Sequence, residues 1–229
     1  MNVLSLDGVN AGYAKTDVVT DISFDIPEGQ IFGLIGLNGV GKTTLIKTIL
    51  GLRDVHSGNI EHLGKENIAF LPERFDPPWF LSGYKFLKFS QKIYNKEISL
   101  DEAKKLAGDI SLNPDMLTKD VKTYSKGMRQ KLGLIATIIS GCKLIILDEP
   151  MSGLDPKARQ EVKRLILKAK ENGQSIFMSS HILADVSELC DQVAVLNDKK
   201  IIFKGSPAQM NKVGNDNNLE KAFLNLIAA

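Results

Sequence analysis

The most constraining feature of this 229-residue chain is a glycine-rich stretch, Gly36-Leu37-Asn38-Gly39-Val40-Gly41-Lys42-Thr43, which fits the pattern G-x-x-x-x-G-K-[ST]. Backbone N–H groups of such a turn form a cradle for phosphate oxygens, and the following helix adds the partial positive charge of its N-terminus. In this pattern the lysine reaches the β- and γ-phosphates of a nucleotide, and the last hydroxyl ligates Mg²⁺. The predicted nucleotide-binding residues of this loop are Gly36, Asn38, Gly39, Gly41, Lys42, Thr43 and Thr44.

The residues on both sides of the loop support this interpretation. Gln30 to Ile35 is a short apolar run that follows the turn Pro27-Glu28-Gly29, which predicts a buried strand. Thr44 to Leu50 carries apolar residues at helical spacing and stops at Gly51. The sequence therefore predicts the strand, loop and helix that a phosphate-binding loop requires, and an accidental glycine-rich surface turn is the alternative.

Composition excludes several classes of protein. The net charge is only +2, and lysines are interspersed with acidic residues, so electrostatics gives no support for DNA or RNA binding. Cys142 and Cys190 stand far apart without a CxxC motif, which argues against a metal site or a disulfide framework and favours small buried hydrophobic roles.

No targeting or membrane segment is expected. The N-terminal residues lack the pattern of a signal peptide. Leu132 to Leu147 is the most apolar stretch, but Gly141 and Lys143 interrupt it, and it falls short of the roughly 20 apolar residues that a spanning helix needs. This stretch predicts a buried helix followed by a buried strand.

A second group of polar residues follows a later strand. Lys143 to Leu147 is apolar and delivers Asp148 and Glu149 at its carboxyl end, where ligands bind in open α/β sheets. Asp148 is placed to hold Mg²⁺ together with Thr43, and Glu149 to polarise an attacking water. The alternative is that both carboxylates merely open the turn before Pro150.

Three further motifs make a family resemblance specific. Thr123-Tyr124-Ser125-Lys126-Gly127-Met128-Arg129-Gln130-Lys131-Leu132 is similar to the signature LSGGQ of ABC transporter ATP-binding subunits, in the variant form of exporter subfamilies. Ser152-Gly153-Leu154-Asp155 resembles the D-loop of that family, and Ser179-Ser180-His181 its switch histidine. The order and the spacing of these motifs fit the family, and matches extend from Tyr13 to the C-terminal helix.

The resemblance implies an α/β fold, a P-loop NTPase core with a small antiparallel β lobe and an inserted helical subdomain. Strand-like and helical patterns along the chain agree with it. The expected organisation is a single ABC ATPase domain over residues 1–229. Its nucleotide-binding core comprises 1–72 and 141–213, the helical subdomain with the signature comprises 73–140, and a C-terminal helix comprises 214–229.

The resemblance also implies a head-to-tail dimer that binds ATP and Mg²⁺ between its subunits. Ser125, Gly127 and Asp155 of one subunit are expected to contact the ATP held by the other, although Ser125 alone could also be a simple N-cap. His181 is expected to donate a hydrogen bond to the γ-phosphate, and Tyr13 to stack on adenine.

One position departs from the family pattern. The family usually has Gln at the end of the strand that here reads Ile68 to Leu71 and continues into Pro72-Glu73. Glu73 places a carboxylate near the expected Mg²⁺ position. We therefore count Glu73 among the candidate catalytic and metal-binding residues, and expect it to act in coupling to a membrane partner.

Seven aromatic residues lie between Phe75 and Tyr94. Helical spacing predicts that Phe86 and Phe89 belong to the core of the helical insertion. Phe75, Trp79 and Phe80 lie instead in a Pro-rich loop, where exposed aromatics commonly mark a partner site. By resemblance, the partner is the coupling helix of an integral-membrane permease, which would place this chain on the cytoplasmic face of a membrane.

These patterns predict an ATP-hydrolysing subunit that dimerises and drives a separate permease. The form of the signature favours the subfamily paired with ABC-2 type exporter permeases, and an importer ATPase is the nearer alternative. A soluble ABC ATPase acting on nucleic acid or ribosomes is less favoured, because no coiled coil or second ATPase unit is present in the sequence. No nucleic-acid partner is expected. A binding module without catalysis is disfavoured by Glu149.

Overall fold

The computed structural model describes residues 1–228 as two sheets and a set of helices. The strands are β1 (Asn2–Tyr13), β2 (Thr16–Pro27), β3 (Ile31–Ile35), β4 (Val55–His62), β5 (Ile68–Leu71), β6 (Leu144–Asp148), β7 (Ser175–Ser180), β8 (Gln192–Asn197) and β9 (Lys200–Gly205). The helices are α1 (Lys42–Ile49), α2 (Gly83–Ile93), α3 (Leu100–Asp109), α4 (Lys126–Ile138), α5 (Pro156–Glu171), α6 (Leu183–Leu189), α7 (Pro207–Val213) and α8 (Leu219–Ala228).

The larger sheet has six strands in the order β5-β6-β7-β3-β8-β9. The pairs from β5 to β8 are parallel, as the alternation of strand-like and helical patterns predicts, and only β9 pairs antiparallel, with β8. Every residue of β3, β6 and β7 is buried. These strands are apolar because both faces of a parallel sheet are covered.

The two faces of this sheet contribute to two separate hydrophobic clusters. Ile31 and Ile35 of β3 pack with the helices, whereas Phe32 and Leu34 pack with the smaller sheet. Phe32 stacks on Phe24 of β2 with ring centroids 4.9 Å apart. The alternation follows from the period of two along a strand, and it fixes the register of the central strand against both layers.

The smaller sheet is antiparallel, in the order β2-β1-β4. Sequence patterns anticipated β1 and β2 but not β4, because β4 is exposed at almost every position and shows no apolar alternation. It pairs with β1, with Leu4 opposite His62 and Ala11 opposite Val55. This pairing brings residues just before Val55 close to the end of β1.

The helices α2, α3 and α4 lie between β5 and β6 in the chain, as the resemblance implied. Ser82, Ser99 and Ser125 are the N-caps of these helices, and each side chain accepts a hydrogen bond from a backbone N–H in the first turn. Two 3₁₀ turns, Pro114–Thr118 and Val121–Thr123, connect α3 to α4. The fold class is thus confirmed, and the exact division into subdomains stays a prediction.

The prediction that Phe89 belongs to the core is wrong. Phe86 is buried at 8% exposure, whereas Phe89 is 55% exposed. The helix α2 buries Gly83, Phe86 and Leu87, and a position three residues beyond Phe86 lies beyond the edge of that buried arc. Helical spacing alone could not tell which arc faces the core.

Both cysteines are buried and free, as expected. Burial raises the pKa of the Cys190 thiol to about 12 and raises the pKa of Cys142 above its usual value. Within residues 1–228, no helix has the length and apolar character needed to cross a bilayer. The apolar stretch from Leu132 to Leu147 forms most of α4 and then β6, as predicted.

Candidate nucleotide-binding site

The predicted polar residues meet at one edge of the larger sheet. In the register of the strands, Asp148 lies opposite Ser179, and Ile35 lies opposite Ser180. The carboxyl ends of β3, β6 and β7 are therefore neighbours. They bring together the glycine-rich stretch 36–43 (the phosphate loop), the two carboxylates after β6 and the histidine after β7.

The phosphate loop needs its glycines for steric reasons. Gly41 has φ 118°, and a Cβ atom there would lie 2.9 Å from Cγ1 of Val19. A Cβ atom on Gly36 would lie 2.7 Å from the carbonyl oxygen of Leu196. Gly41 also precedes α1, whose first turn has no side-chain cap and no acidic residue. The loop therefore presents backbone N–H groups and a helix N-terminus, which suits a phosphate.

Lys42 is held inside the loop. Its side chain is 6% exposed, and Nζ donates hydrogen bonds to the carbonyl oxygens of Gly36 at 2.7 Å and Leu37 at 3.2 Å. The same ammonium lies 3.3 Å from Oε1 of Glu149. The buried ammonium is thus hydrogen-bonded and paired with a carboxylate, as a charge inside a protein requires.

Two side chains fix the first carboxylate, that of Asp148. The hydroxyl of Thr43 donates to Oδ2 of Asp148 at 2.8 Å, and the hydroxyl of Ser179 donates to Oδ1 at 2.5 Å. Ser179 also accepts a hydrogen bond from the backbone N–H of Glu149 at 2.9 Å. One serine thus orients both acidic residues, and Asp148 is only 2% exposed.

Glu149 is held in an unusual backbone conformation, with φ 49° in the left-handed region. A non-glycine residue in this region is strained, and such strain is found where the surrounding structure fixes it. Oε2 of Glu149 lies 2.8 Å from Nδ1 of His181. Because a carboxylate only accepts, the proton of this contact lies on Nδ1. Oε1 of Glu149 is buried and accepts no hydrogen bond among the described residues.

A cavity of about 570 Å³ opens above these groups. It is lined by Tyr13, Val18, Asn38, Gly39, Gly41, Lys42, Thr43, Thr44, Glu73, Glu149, Ser152 and His181. Of the predicted nucleotide-binding residues, only Gly36 is outside this lining, and its carbonyl accepts the bond from Lys42 instead. The volume is typical of small-molecule sites.

Tyr13 stands at the mouth of the cavity and is 54% exposed. The guanidinium carbon of Arg53 lies 3.8 Å from the centroid of the Tyr13 ring, and Nη1 of Arg53 donates to the carbonyl oxygen of Gly12 at 3.0 Å. Arg53 does not line the cavity. One face of the Tyr13 ring is thus covered by a cation.

The residues predicted to contact a second subunit's ATP lie elsewhere. Ser125 caps α4 by accepting from the N–H of Met128, and Asp155 caps α5 by accepting from the N–H of Ala158. Hydrogen bonding from the Ala158 N–H is the main cause that holds the pKa of Asp155 below its usual value. A Cβ atom on Gly127 would lie 3.6 Å from Leu154, so the two segments adjoin.

Glu73 lies at the wall between two cavities. It lines the cavity described above and a second one of about 520 Å³, formed with Arg74, Phe75, Asp76, Lys126, Arg129 and Gln130. The loop 75–80, the aromatic loop, follows Glu73 in the chain. Phe75 packs edge to face against Phe86 with ring centroids 5.6 Å apart, whereas Trp79 and Phe80 are 66% and 63% exposed.

A buried ion pair joins the helix that Ser125 caps to the helix that Asp155 caps. Nζ of Lys131 in α4 lies 3.0 Å from Oε2 of Glu161 in α5, with the side chains 11% and 8% exposed. Burial raises the pKa of Glu161, but hydrogen bonds from Ser111 and Lys131 and the Lys131 charge outweigh it, so the pKa is lowered overall. The pair fixes α4 against α5.

Sequence reasoning missed two residues of the site. Ser179 was named only as part of a motif, and its contact with Asp148 depends on the pairing of β6 with β7. Arg53 reaches Tyr13 through the pairing of β4 with β1, and β4 was itself missed. A polar residue at the end of an otherwise buried strand was the available signal for Ser179.

The donor set fits a nucleotide with Mg²⁺. Thr43 and Asp148 offer two hard oxygen donors 2.8 Å apart, which is the chemistry that Mg²⁺ prefers. The turn of the phosphate loop requires glycine at Gly36 and Gly41, because a Cβ atom there would collide with Leu196 or Val19. Among the described residues there is no cluster of three His, Cys, Asp or Glu side chains, so a metal here would take other ligands from the nucleotide and water.

Comparison with known proteins gives a consistent result. The family model "ABC transporter" matches residues 19–152. An uncharacterized ABC transporter ATP-binding protein of Synechocystis is 36% identical over 217 residues, which cover 90% of this chain and 61% of the relative. The lantibiotic transport ATP-binding protein SrtF of Streptococcus pyogenes is 32% identical over 98% of this chain and 97% of its own length.

A solved structure described as the ATP binding subunit of an ABC transporter superposes with a TM-score of 0.89 at 28% identity, over 98% of this chain and 99% of that one. The chain spans about three fifths of the length of the Synechocystis relative. The matched region includes the phosphate loop and both carboxylates after β6. This chain belongs to the ABC transporter family of ATP-binding proteins.

Proposed function

We propose that this chain is the ATP-binding and hydrolysing subunit of an ABC transporter, and that it drives a separate membrane permease as an exporter. The observation that carries the proposal is the group at the sheet edge, in which Thr43 contacts Asp148, and Glu149 contacts both Lys42 and His181. Ser179 joins the two carboxylates. The form of the signature motif supports export, and the likeness to a lantibiotic transport protein agrees with it.

The phosphate loop binds the β- and γ-phosphates of ATP. Its backbone N–H groups and the N-terminus of α1 are oriented toward the anion, and Lys42 supplies a compact positive charge. Asn38, Gly39 and Thr44 line the same cavity and complete the cradle. Tyr13 stacks on the adenine ring at the cavity mouth, because its face is exposed there and Arg53 orders the ring.

Thr43 and Asp148 would hold Mg²⁺, which would supply positive charge beside the phosphates. Glu73 contributes a further carboxylate at the cavity wall. Ser179 keeps Asp148 in place, since its hydroxyl donates a hydrogen bond to one carboxylate oxygen and the other oxygen accepts from Thr43. The aspartate is thus oriented before any ligand arrives.

Glu149 accepts the proton of the attacking water. Its side chain lines the cavity, with Oε1 in the ion pair with Lys42 at 3.3 Å and Oε2 engaged by His181. The strained backbone at φ 49° and the bond from its N–H to Ser179 aim the side chain. Donation from Nε2 of His181 to the γ-phosphate requires the doubly protonated imidazolium, because Nδ1 already carries a proton toward Glu149.

A second ATPase subunit completes the site in this proposal. Ser125 and Gly127 lie at the start of α4, and Asp155 lies at the start of α5. The two segments adjoin, since a Cβ atom on Gly127 would lie 3.6 Å from Leu154. Their N–H groups and dipoles suit the γ-phosphate of an ATP held by a partner subunit. The dimer is head to tail and consists of two copies of this chain or of two related subunits.

The aromatic loop binds the permease in this proposal. Trp79 and Phe80 form an exposed edge-to-face pair with ring centroids 5.6 Å apart, beside a groove lined by Pro77, Pro78, Val121, Lys122 and Arg129. Exposed aromatics beside a groove are typical interface anchors. The permease places the subunit on the cytoplasmic face of the membrane. Glu73, between the loop and the nucleotide cavity, couples the two.

The first experiment measures ATP binding and hydrolysis by the purified chain and by Lys42→Ala. We expect the variant to lose nucleotide affinity, because no other lysine or arginine of the loop can replace the charge. Lys47→Ala is the matched control, since Lys47 is an exposed lysine on the same helix. Equal ATP affinity in all three proteins would show that the loop is not the phosphate site.

The second experiment tests the permease contact with Trp79→Ala and Phe80→Ala together. The complex with the permease should weaken, since truncating a hot spot costs about 2 kcal/mol or more. Leu52→Ala is the control, because Leu52 is also a large exposed hydrophobic residue, at 68% exposure, and lies outside the loop that contains Trp79 and Phe80. If the double variant instead loses thermal stability while the complex still forms, these aromatics serve the fold and not the interface.

A further inference from the structure

The segment 77–96 concentrates positive charge. It contains four of the chain's 29 basic residues, Lys85, Lys88, Lys92 and Lys96, and none of its 27 acidic residues. The rest of the chain therefore has 25 basic side chains against 27 acidic ones, so the positive net charge of the protein arises from this one segment. Such a local asymmetry indicates an anionic partner.

Helix α2 presents three of these lysines on its outer arc. At 100° per residue, Lys85, Lys88 and Lys92 project to the side opposite Gly83, Phe86, Leu87 and Gln91, which are buried. Phe89 and Ile93 lie one turn apart on the same outer arc, 55% and 64% exposed. We call these five residues, Lys85, Lys88, Phe89, Lys92 and Ile93, the α2 outer face.

The charges of the α2 outer face have no partner in the part of the chain that the structure describes. None of its ion pairs involves Lys85, Lys88 or Lys92. Asp120, whose backbone forms a β-bridge with Ser82 at the start of the helix, already pairs with Lys122 at 3.4 Å. The lysines are thus not neutralised within the subunit.

We propose that the α2 outer face binds the anionic headgroup surface of a lipid bilayer. Its lysines are spread over about 10 Å of a convex helix and do not converge on a point, which fits a flat anionic surface better than a single phosphate or carboxylate. Exposed Phe and Ile beside lysines are the composition of helices that lie in the membrane interface, where the rings enter the headgroup layer and the lysine stems reach back to the phosphates.

The position of the face in the chain agrees with this role. Helix α2 starts at Gly83, three residues after Phe80, so the proposed permease loop leads directly into it. The proposal rests on the proposed function, because a subunit docked on a permease lies beside the bilayer. The lipid contact would then orient the helical part of the subunit independently of the permease contact made by Trp79 and Phe80.

The test uses the full chain, without permease, and vesicles of two compositions, pure phosphatidylcholine and phosphatidylcholine with anionic phosphatidylglycerol. We expect binding to the anionic vesicles only. Replacing Lys85, Lys88 and Lys92 with Gln should weaken partitioning on the order of 100-fold. Phe89→Ser with Ile93→Ser should also weaken it, and that loss should persist at 0.5 M salt, roughly where the lysine contribution is screened.

The matched control removes three exposed lysines elsewhere. Lys199, Lys200 and Lys204 lie on the hairpin of β8 and β9, and their change to Gln alters the net charge equally. Binding that falls as far in this control would show a response to net charge alone and overturn the proposal. Failure of the unaltered chain to bind anionic vesicles would also overturn it.

Two further measurements separate this proposal from the proposed function. ATP hydrolysis by the isolated chain should be unchanged in the Lys→Gln variant, because the α2 outer face does not line the nucleotide cavity. If the variant keeps vesicle binding but no longer forms the permease complex in detergent, the face takes a protein partner and the lipid proposal is wrong. If only the variant at Trp79 and Phe80 loses the permease complex, the result concerns the permease contact and does not affect the lipid proposal.

Discussion

The sheet edge around the phosphate loop and the surface around Ser125 differ in how their polar side chains are bonded. At the sheet edge, Thr43, Asp148, Ser179 and Glu149 are joined through hydrogen bonds between different strands and loops. At the other surface, Ser125 bonds only to the first turn of the helix that it caps. One region is organised by long-range contacts and the other by local ones.

This difference indicates what each region needs in order to act. The groups at the sheet edge are fixed by strand register, so they are oriented for ATP within a single subunit. Ser125 and Asp155 are exposed, and their helix N-termini have room for an anion that the chain itself does not supply. In the proposed dimer, the first region binds ATP first and the second region senses it.

The largest expected effect comes from breaking the chemistry at the sheet edge while keeping its shape. Glu149→Gln should lower steady-state hydrolysis by about 10³-fold, because the amide cannot accept the proton of water. ATP binding should persist, and the variant should accumulate as an ATP-bound dimer. Phosphate release and size-exclusion chromatography with ATP measure both effects.

The control for this variant is Glu171→Gln, which changes an exposed glutamate at the end of α5. It should leave turnover unchanged. If Glu149→Gln forms the dimer yet turns over ATP at nearly the normal rate, Glu149 is not the base, and another group at the sheet edge must accept the proton.

The next effect separates the two regions. Gly127→Asp should abolish ATP-dependent dimerisation while each subunit still binds ATP, since a carboxylate at the start of α4 repels the γ-phosphate of the partner. The fold should tolerate it, because the new Cβ would make an ordinary contact of 3.6 Å and an acidic residue suits a helix N-terminus. Combined with Glu149→Gln, it should prevent the stable dimer.

Gly108→Asp is the matched control for added charge, since a Cβ atom there meets nothing within 4 Å. It lies on α3, outside both regions, and should leave the dimer intact. A dimer that survives Gly127→Asp would mean that the surface around Ser125 does not face the nucleotide of a partner.

The same contrast explains what could be read from the sequence. Lys42, Thr43 and Ser125 were predicted because a loop or a helix cap is a local pattern of a few residues. Asp148 and Glu149 followed from one apolar strand. The contact of Ser179 with Asp148 could not be predicted, since it depends on which strands are neighbours in the sheet.

The missed elements have a similar cause. The strand β4 has no apolar alternation and is held by its pairing with β1, whereas β9 is an edge strand with a weak pattern. Local propensity does not predict a strand whose formation depends on pairing with a neighbouring strand. The prediction for Phe89 was wrong because helical spacing shows which residues share a side of the helix, but not which side faces the core.

A third prediction concerns the link between α4 and α5. Glu161→Ala should lower the free energy of unfolding by about 3 kcal/mol, because it leaves the buried Lys131 ammonium without its partner. Asp109→Ala removes the exposed pair with Lys168, at 3.8 Å, and should cost about 0.5 kcal/mol or less. Denaturant titration of both variants compares a buried with an exposed pair on the same helix.

The dependence of this difference on pH has a definite sign. The folded pKa of Glu161 is lowered, so its contribution is fully present above the unfolded value of about 4.3 and is lost as the pH falls through the folded pKa. The gap between the normal chain and Glu161→Ala should therefore shrink in acid. A gap that stays constant down to the folded pKa would show that Glu161 stabilises by packing and not by charge.

The smallest expected effect tests whether a contact set by strand pairing orders the mouth of the cavity. Arg53→Ala should raise the KM for ATP about 3-fold with kcat unchanged, because a cation–π contact at an exposed ring contributes about 0.5–1 kcal/mol. The affinity for inorganic tripolyphosphate should not change, since it has no base to stack on Tyr13.

In a Tyr13→Ala background, Arg53→Ala should have no further effect. Arg53→Lys keeps the charge without the planar group, so it should resemble Arg53→Ala if ordering of the ring is what matters. An equal loss for ATP and tripolyphosphate would show instead that Arg53 acts through its charge on the phosphates, and that ordering of Tyr13 contributes nothing.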